Sequence, residues 1–140
     1  MTPNDIIVFL INIIHILVII LVVVIPFTNY NSLLLLHAIL VPFIMLHWLL
    51  NNDTCALTLM EKYFRIQMNG GEYVDDKDCI SYKLIGPVYN FMNDNVDYSK
   101  WTWIMTSTLW FITLYKLRSK YINDEFEEFK NFFSTMNLSR

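Results

Sequence analysis

Residues 6 to 27, IIVFLINIIHILVIILVVVIPF, contain no charged side chain. As a helix rising 1.5 Å per residue, twenty-two residues reach about 33 Å, the thickness of a lipid hydrocarbon core. No other feature limits the fold so much, because a small water-soluble domain has no place to bury a helix that is apolar on every side. A cleavable signal peptide fits poorly: the preceding MTPND carries no positive charge, the run is too long, and no A-x-A site follows. The run therefore reads as a retained first span.

Two further runs extend this reading. Residues 33 to 50, LLLLHAILVPFIMLHWLL, are also uncharged, and the short TNYNS link makes the two runs an antiparallel hairpin. Pro42 lies mid-run, where a local kink is expected. Residues 101 to 115, WTWIMTSTLWFITLY, are short for a span. They are bounded by Lys100 and Lys116, which can snorkel, and carry Trp101, Trp103 and Tyr115 at interfacial positions. Ser99 is the expected N-cap. The fold class is thus an all-α integral membrane protein of one domain: three spans, an extramembrane loop over 51–100, and a tail over 116–140.

The loop has its own order. Thr58 and Glu61 have the spacing of a capping box, and Glu61 and Arg65 are four apart, the favourable orientation for an ion pair. Met60, Tyr63, Phe64 and Met68 form an apolar face on that helix, which Asn69-Gly70-Gly71 ends. Leu84, Val88, Phe91 and Met92 recur at helical spacing, broken at Gly86-Pro87. The loop therefore reads as two short interfacial pieces.

At CALTLMEKYFR the chain resembles a family of small bacterial membrane proteins known only as a domain of unknown function. The resemblance rests on Cys55, Ala56, Leu57, Thr58, Glu61 and Arg65, on a histidine in each of the first two spans (His15 and His37), and on the pattern from Tyr73 to Tyr89. It covers about residues 8 to 115 and implies a shape without a reaction. Ala56, Cys79, the Asn51-Asn52-Asp53 cluster and the acidic tail depart from the family pattern. The richness in Asn, Ile, Lys and Tyr suggests an AT-rich genome, such as that of a large DNA virus.

Chemistry-bearing residues are few. His15 and His37 lie at similar depth if the hairpin is tight. They read first as hydrogen-bond glue between helices and second as a pair of axial haem ligands. His47, beside Trp48, reads as an interfacial residue. Cys55 and Cys79 leave open a disulfide, which needs an oxidising compartment, or two free thiols. No C-x-x-C occurs, and the loop lacks the histidines that would complete a zinc site. Asp53 and Glu61 would offer an acid and a base if they converged; the structural reading of the junction is that Asn51 and Asn52 end the second span while Asp53 or Thr54 caps the next helix.

Net charge is −3, and the ten Lys and Arg form no long basic run, so nucleic-acid binding has no electrostatic footprint. Near the span ends Lys62, Arg65, Lys83 and Lys100 on the loop side balance Lys116, Arg118, Lys120 and Lys130 on the tail side; the density of the first three tail charges beside the lipid favours a cytosolic tail and an extracytosolic loop. In the tail, Ile122, Phe126, Phe129 and Phe133 make an apolar stripe opposite Asp124, Glu125, Glu127 and Glu128. Such a helix suits docking onto the protein itself or a partner over residues 120–136, as in a homo-oligomer, better than lying on anionic lipid. The expected role is a non-enzymatic scaffold or interaction subunit in a lipid bilayer, with no metal or cofactor. The alternatives are a haem protein using His15 and His37, and a small channel. A channel has little to work with, since no charge lies inside any of the three runs.

Overall fold

A computed structural model describes residues 2–92, 97–123 and 126, with side chains omitted at 90–92. These residues form five α-helices: α1 (Pro3–Val24), α2 (Asn31–Leu50), α3 (Ala56–Met68), α4 (Ile80–Met92) and α5 (Tyr98–Ile122). There is no strand among them.

The start of α1 is fixed by a capping box. Thr2 Oγ1 accepts the Asp5 N–H at 3.3 Å, and the Asp5 carboxylate accepts the Thr2 N–H at 2.5 Å. Pro3 occupies the first turn, where its missing N–H costs nothing. At the far end Ile25–Phe27 tighten into a 3₁₀ turn around buried Pro26. α2 then runs without interruption through Pro42.

α5 lies antiparallel to α2 along almost its whole length. Trp103 stacks edge-on against Trp48, with ring centroids 5.8 Å apart. Further along, Trp110 Nε1 donates to the Ala38 carbonyl at 3.0 Å and Thr113 meets His37. At the end Lys116 and Lys120 donate to Thr28, Asn29 and Asn31 of the α1–α2 turn. These bonds carry α5 well past residue 115, where the apolar run ends. Its N-cap is Asp97, which accepts the Ser99 N–H at 3.2 Å, whereas Ser99 was expected to cap.

The expected α1–α2 hairpin is antiparallel, but each helix has another main partner: α1 packs chiefly on α3, and α2 on α5. Two helices, Pro3–Phe27 with its terminal turn and Asn31–Leu50, are long and apolar enough to cross a membrane. Their apolar side chains mostly face outward. Phe9, Ile13 and Leu17 of α1 and Leu36, Ile39, Phe43 and Leu46 of α2 are exposed, as are Ile104 and Phe111 of α5. Inside lie Val8, Ile11 and Leu34, a small cluster of Val22, Val41 and Leu109, and the buried polar side chains His15, His37, Thr106 and Thr113. In water the order of faces would be reversed.

Candidate functional site

The polar side chains gather at two places. The first is an interhelical node around His37, which is fully buried. Its Nε2 lies 3.1 Å from the Val22 carbonyl of α1, and its Nδ1 lies 3.0 Å from Thr113 Oγ1 of α5. A carbonyl only accepts, so Nε2 carries the proton and the Thr113 hydroxyl donates to Nδ1. One imidazole thereby ties three helices. Both ring nitrogens are engaged, and an axial metal bond at His37 would have to replace one of these contacts.

The second place is the junction of α1, α3 and α4, centred on Glu61. Ten residues back along α1 from Val22 is Asn12, and ten forward along α2 from His37 is His47. Counted from the Val22–His37 bond, both stand about 15 Å away at roughly one level, near the end of α2. Glu61 is fully buried there. Arg65 approaches its Oε1 through Nε and Nη2, each at 2.8 Å. The Ile80 N–H, first in α4, points at both carboxylate oxygens, 3.3 and 3.2 Å away. The Asn12 amide, turned with its nitrogen toward Glu61, donates to the carboxylate at 3.2 Å. A carboxylate at a helix N-terminus satisfies a free N–H and meets the positive end of the helix dipole.

The capping box expected from Thr58 and Glu61 is therefore not formed. α3 begins earlier, with Cys55 as N-cap, and Glu61 serves α1 and α4 instead of its own helix end. Thr58 is also buried, its hydroxyl 3.4 Å from Ser81 Oγ. Tyr98, at the start of α5, donates to the Ser81 carbonyl at 3.4 Å. The expected Glu61–Arg65 pair is present. The faces of α3 are inverted relative to a water-soluble helix: Thr58 and Glu61 are buried, while Leu59, Met60, Tyr63 and Met68 are exposed. α4 is one helix that runs through Gly86-Pro87. A Cβ at Gly86 would lie 2.9 Å from the Tyr82 ring, which would have to shift to admit it.

The α2–α3 junction is built from end-caps. Asn52 and Asp53 hold positive φ values of 50° and 60°, and the Asp53 N–H returns to the Trp48 carbonyl at 2.8 Å. That is the Schellman closure expected when an asparagine ends a helix. Asp53 then accepts from Trp103 Nε1 at 2.9 Å and caps nothing. Its partner is on α5, whereas those of Glu61 are on α1, α3 and α4, so the two carboxylates serve different contacts. His47 has a role the sequence did not reveal: its Nε2 accepts the Ala56 N–H at 3.0 Å, anchoring α3 to the end of α2. Further out, Lys62 pairs with Asp76 and lies over the Tyr73 ring.

Both cysteines are free thiols, so the disulfide alternative is not realised. Cys79 is fully buried just before α4, with its thiol directed toward the Asp75 carbonyl. Burial, aided by the Glu61 charge, pushes this thiol up to about 11, which leaves it protonated and unreactive at neutral pH.

His15 is buried beside the junction, within electrostatic reach of Glu61, and its Nδ1 meets no protein partner. The structure thus gives His15 and His37 separate surroundings: the Glu61 junction for one and the α5 node for the other. Asn12, Ser81 and Thr113 are site residues that sequence reading missed. Asn12 had a visible signal, since it and His15 are the only polar residues in the first run and share a helix face. The apolar stripe at Phe129 and Phe133, the acidic residues 124, 125, 127 and 128, and the side chains of Phe91 and Met92 lie outside the described residues. No protein-family model, curated protein or solved structure matches this chain.

Proposed function

We propose that this chain is an integral membrane protein in which α1, α2 and α5 are three spans, acting as a non-enzymatic scaffold or interaction subunit. The observation that carries the reading is the outward apolar surface of these helices, with His15, His37, Thr106 and Thr113 buried between them among Val8, Ile11, Leu34 and Val41. Exposed apolar side chains run the length of α1 and α2, and a contiguous apolar face of that extent calls for lipid or another protein as its solvent. α5 is the least apolar of the three. It keeps register with α2 from Trp103 to Lys120, so a bilayer crossed by α2 is crossed by α5 as well.

The polar groups favour a structural role over a catalytic one. His37 is occupied by Val22 and Thr113, and Glu61 by Arg65, Ile80 and Asn12. Cys55, Thr58, Glu61 and Arg65, the residues of the family resemblance, act here as caps and tethers. The N-terminus and the α3–α4 segment lie on one side of the membrane. The α1–α2 turn and the tail lie on the other, cytosolic side: each side carries four Lys and Arg near the span ends, and Lys116, Arg118 and Lys120 are the densest group and the closest to the lipid.

Two measurements test this. Membranes from expressing cells are washed at alkaline pH, and the protein is expected to stay in the pellet. Native mass spectrometry of the detergent-purified protein then reads its assembly, with a defined homo-oligomer or a co-purifying membrane partner expected. Release into the wash contradicts the membrane reading, while a bare monomer without partner contradicts the scaffold reading.

A further inference from the structure

By composition residues 51–100 belong outside the membrane, yet the contacts of α3 set it deeper. The uncharged run of α1 begins at Ile6, and Asn12 stands six residues further in, about 9 Å along the helix. Asn12 donates to the Glu61 carboxylate, which brings the middle of α3 to that depth. The end of α2 agrees: His47, level with Asn12, receives the Ala56 N–H that opens α3. The side chains of α3 suit such a place. Leu59, Met60 and Tyr63 are exposed, as are Phe9, Leu10 and Ile13 on the stretch of α1 that brackets Asn12. The helix has three charged side chains, and none of them is among its exposed residues. Each has a protein partner: Glu61 holds Arg65, and Lys62 pairs with Asp76 while lying over the Tyr73 ring. Charged groups at membrane depth are costly unless they turn to the protein and pair. The long stems of Lys62 and Arg65 let their partly exposed heads reach toward the headgroups.

We propose that α3 is embedded in the loop-side leaflet, where Leu59, Met60 and Tyr63 take lipid acyl chains; this rests on the reading of α1 as a span. A soluble partner does not reach a face set about 9 Å inside the apolar run of α1. A second copy of the chain is the weaker occupant. Three side chains on α3 fall well short of the roughly 800 Å² that each partner buries in a stable interface. Acyl chains need no such area, and the α3 face shares its level and its apolar character with the outer surface of α1. The polar residues of α3 then face inward because their alternative is hydrocarbon, and Glu61 finds Asn12 and the Ile80 N–H in place of water.

The test uses the full chain in phosphatidylcholine nanodiscs, with a nitroxide label on one introduced cysteine at a time: Met60→Cys, Tyr63→Cys, Ile13→Cys or Glu72→Cys, in a Cys55→Ser/Cys79→Ala background. Collisions with oxygen, which enters lipid, and with a polar nickel chelate, which stays in water, report the surroundings of each label. Ile13 is the lipid reference and exposed Glu72 the water reference. The labels at 60 and 63 are expected to meet the chelate about fivefold less often than the label at 72, with oxygen collisions close to those at 13. Chelate collisions matching those at 72 would overturn the proposal and put α3 in water. Few collisions with either reagent would overturn the lipid assignment and mean that a second copy covers the face. Free access of the chelate to position 13 would defeat the span reading itself. Because the background replaces buried Cys79, the wild-type chain supplies a second measurement. A phosphatidylcholine carrying a photoactivated diazirine in its acyl chain should crosslink to residues 59–63 as well as to α1. Crosslinks on α1 without any on α3 would overturn the proposal.

Discussion

Replacing Glu61 by alanine is expected to cost more stability than any other single change in the loop. The substitution removes the acceptor of Arg65, orphans the Ile80 N–H and leaves the Asn12 amide without its partner. Breaking a buried ion pair from one side costs about 3–5 kcal/mol. Arg65 keeps 28 % of its side-chain exposure and can partly rehydrate, which puts the expectation at the low end, about 3 kcal/mol. For a chain of this length that corresponds to a fall of about 10 °C in the melting temperature. Glu61→Gln keeps the volume and one carbonyl acceptor, and should lose about 1–2 kcal/mol. The assay is thermal unfolding of the detergent-purified protein, followed by far-UV circular dichroism. Because Glu61 joins α1, α3 and α4, protease sensitivity between residues 69 and 78 should rise in parallel. A Glu61→Ala protein melting within about 2 °C of wild type would show that the carboxylate joins nothing, and the reasoning would fail.

The thiols should differ in reactivity: at neutral pH a small maleimide labels the half-buried Cys55 but spares Cys79 until the protein unfolds. Since the Cys79 pKa is raised above its unfolded value of 9.0, its contribution to stability is complete below pH 9 and is lost as pH climbs through about 11. A wild-type melting temperature that falls between pH 9 and 11, with a smaller fall in Cys79→Ala, checks the sign. Thr113→Val should cost about 0.6–1.7 kcal/mol, the usual worth of one such bond between membrane helices; a wild-type melting temperature in this variant would mean that the His37 node does not hold α5. At Asn52, held at φ 50°, glycine should be tolerated and valine should destabilise by about 1 kcal/mol or more, as read from chemical or thermal unfolding.

How much of this was legible depends on the distance over which each signal acts. The apolar runs of α1 and α2 and the Asn-Gly-Gly stop after Met68 are local, and the helices follow them closely. The apolar run ends at Tyr115 and the tail from Lys116 reads as polar and helical; the structure makes the run and the first residues of the tail one helix, α5. The helix continues because its lysines find carbonyls nearly ninety residues upstream. Glu61 illustrates the same limit in the candidate site. Its spacing from Thr58 fits a local cap, yet its partners are Asn12, forty-nine positions earlier, and the Ile80 N–H, nineteen later. The apolar stripe on α3 was legible, and Met60, Tyr63 and Met68 are exposed; what the opposite face would meet was not, since its partners lie on α1 and α4. Gly86-Pro87 reads as a breaker by propensity, whereas α4 runs through both residues as one helix.

The central claim is that α1, α2 and α5 each cross the bilayer. Single cysteines at Thr2, Ser32, Glu72 and Tyr121, in a Cys55→Ser/Cys79→Ala background, would be labelled with a membrane-impermeant maleimide in sealed, oriented vesicles. Positions 2 and 72 are expected to react from one face, and positions 32 and 121 from the other. Labelling of position 121 from the same face as position 72 would mean that α5 does not cross, and the three-span account would be contradicted.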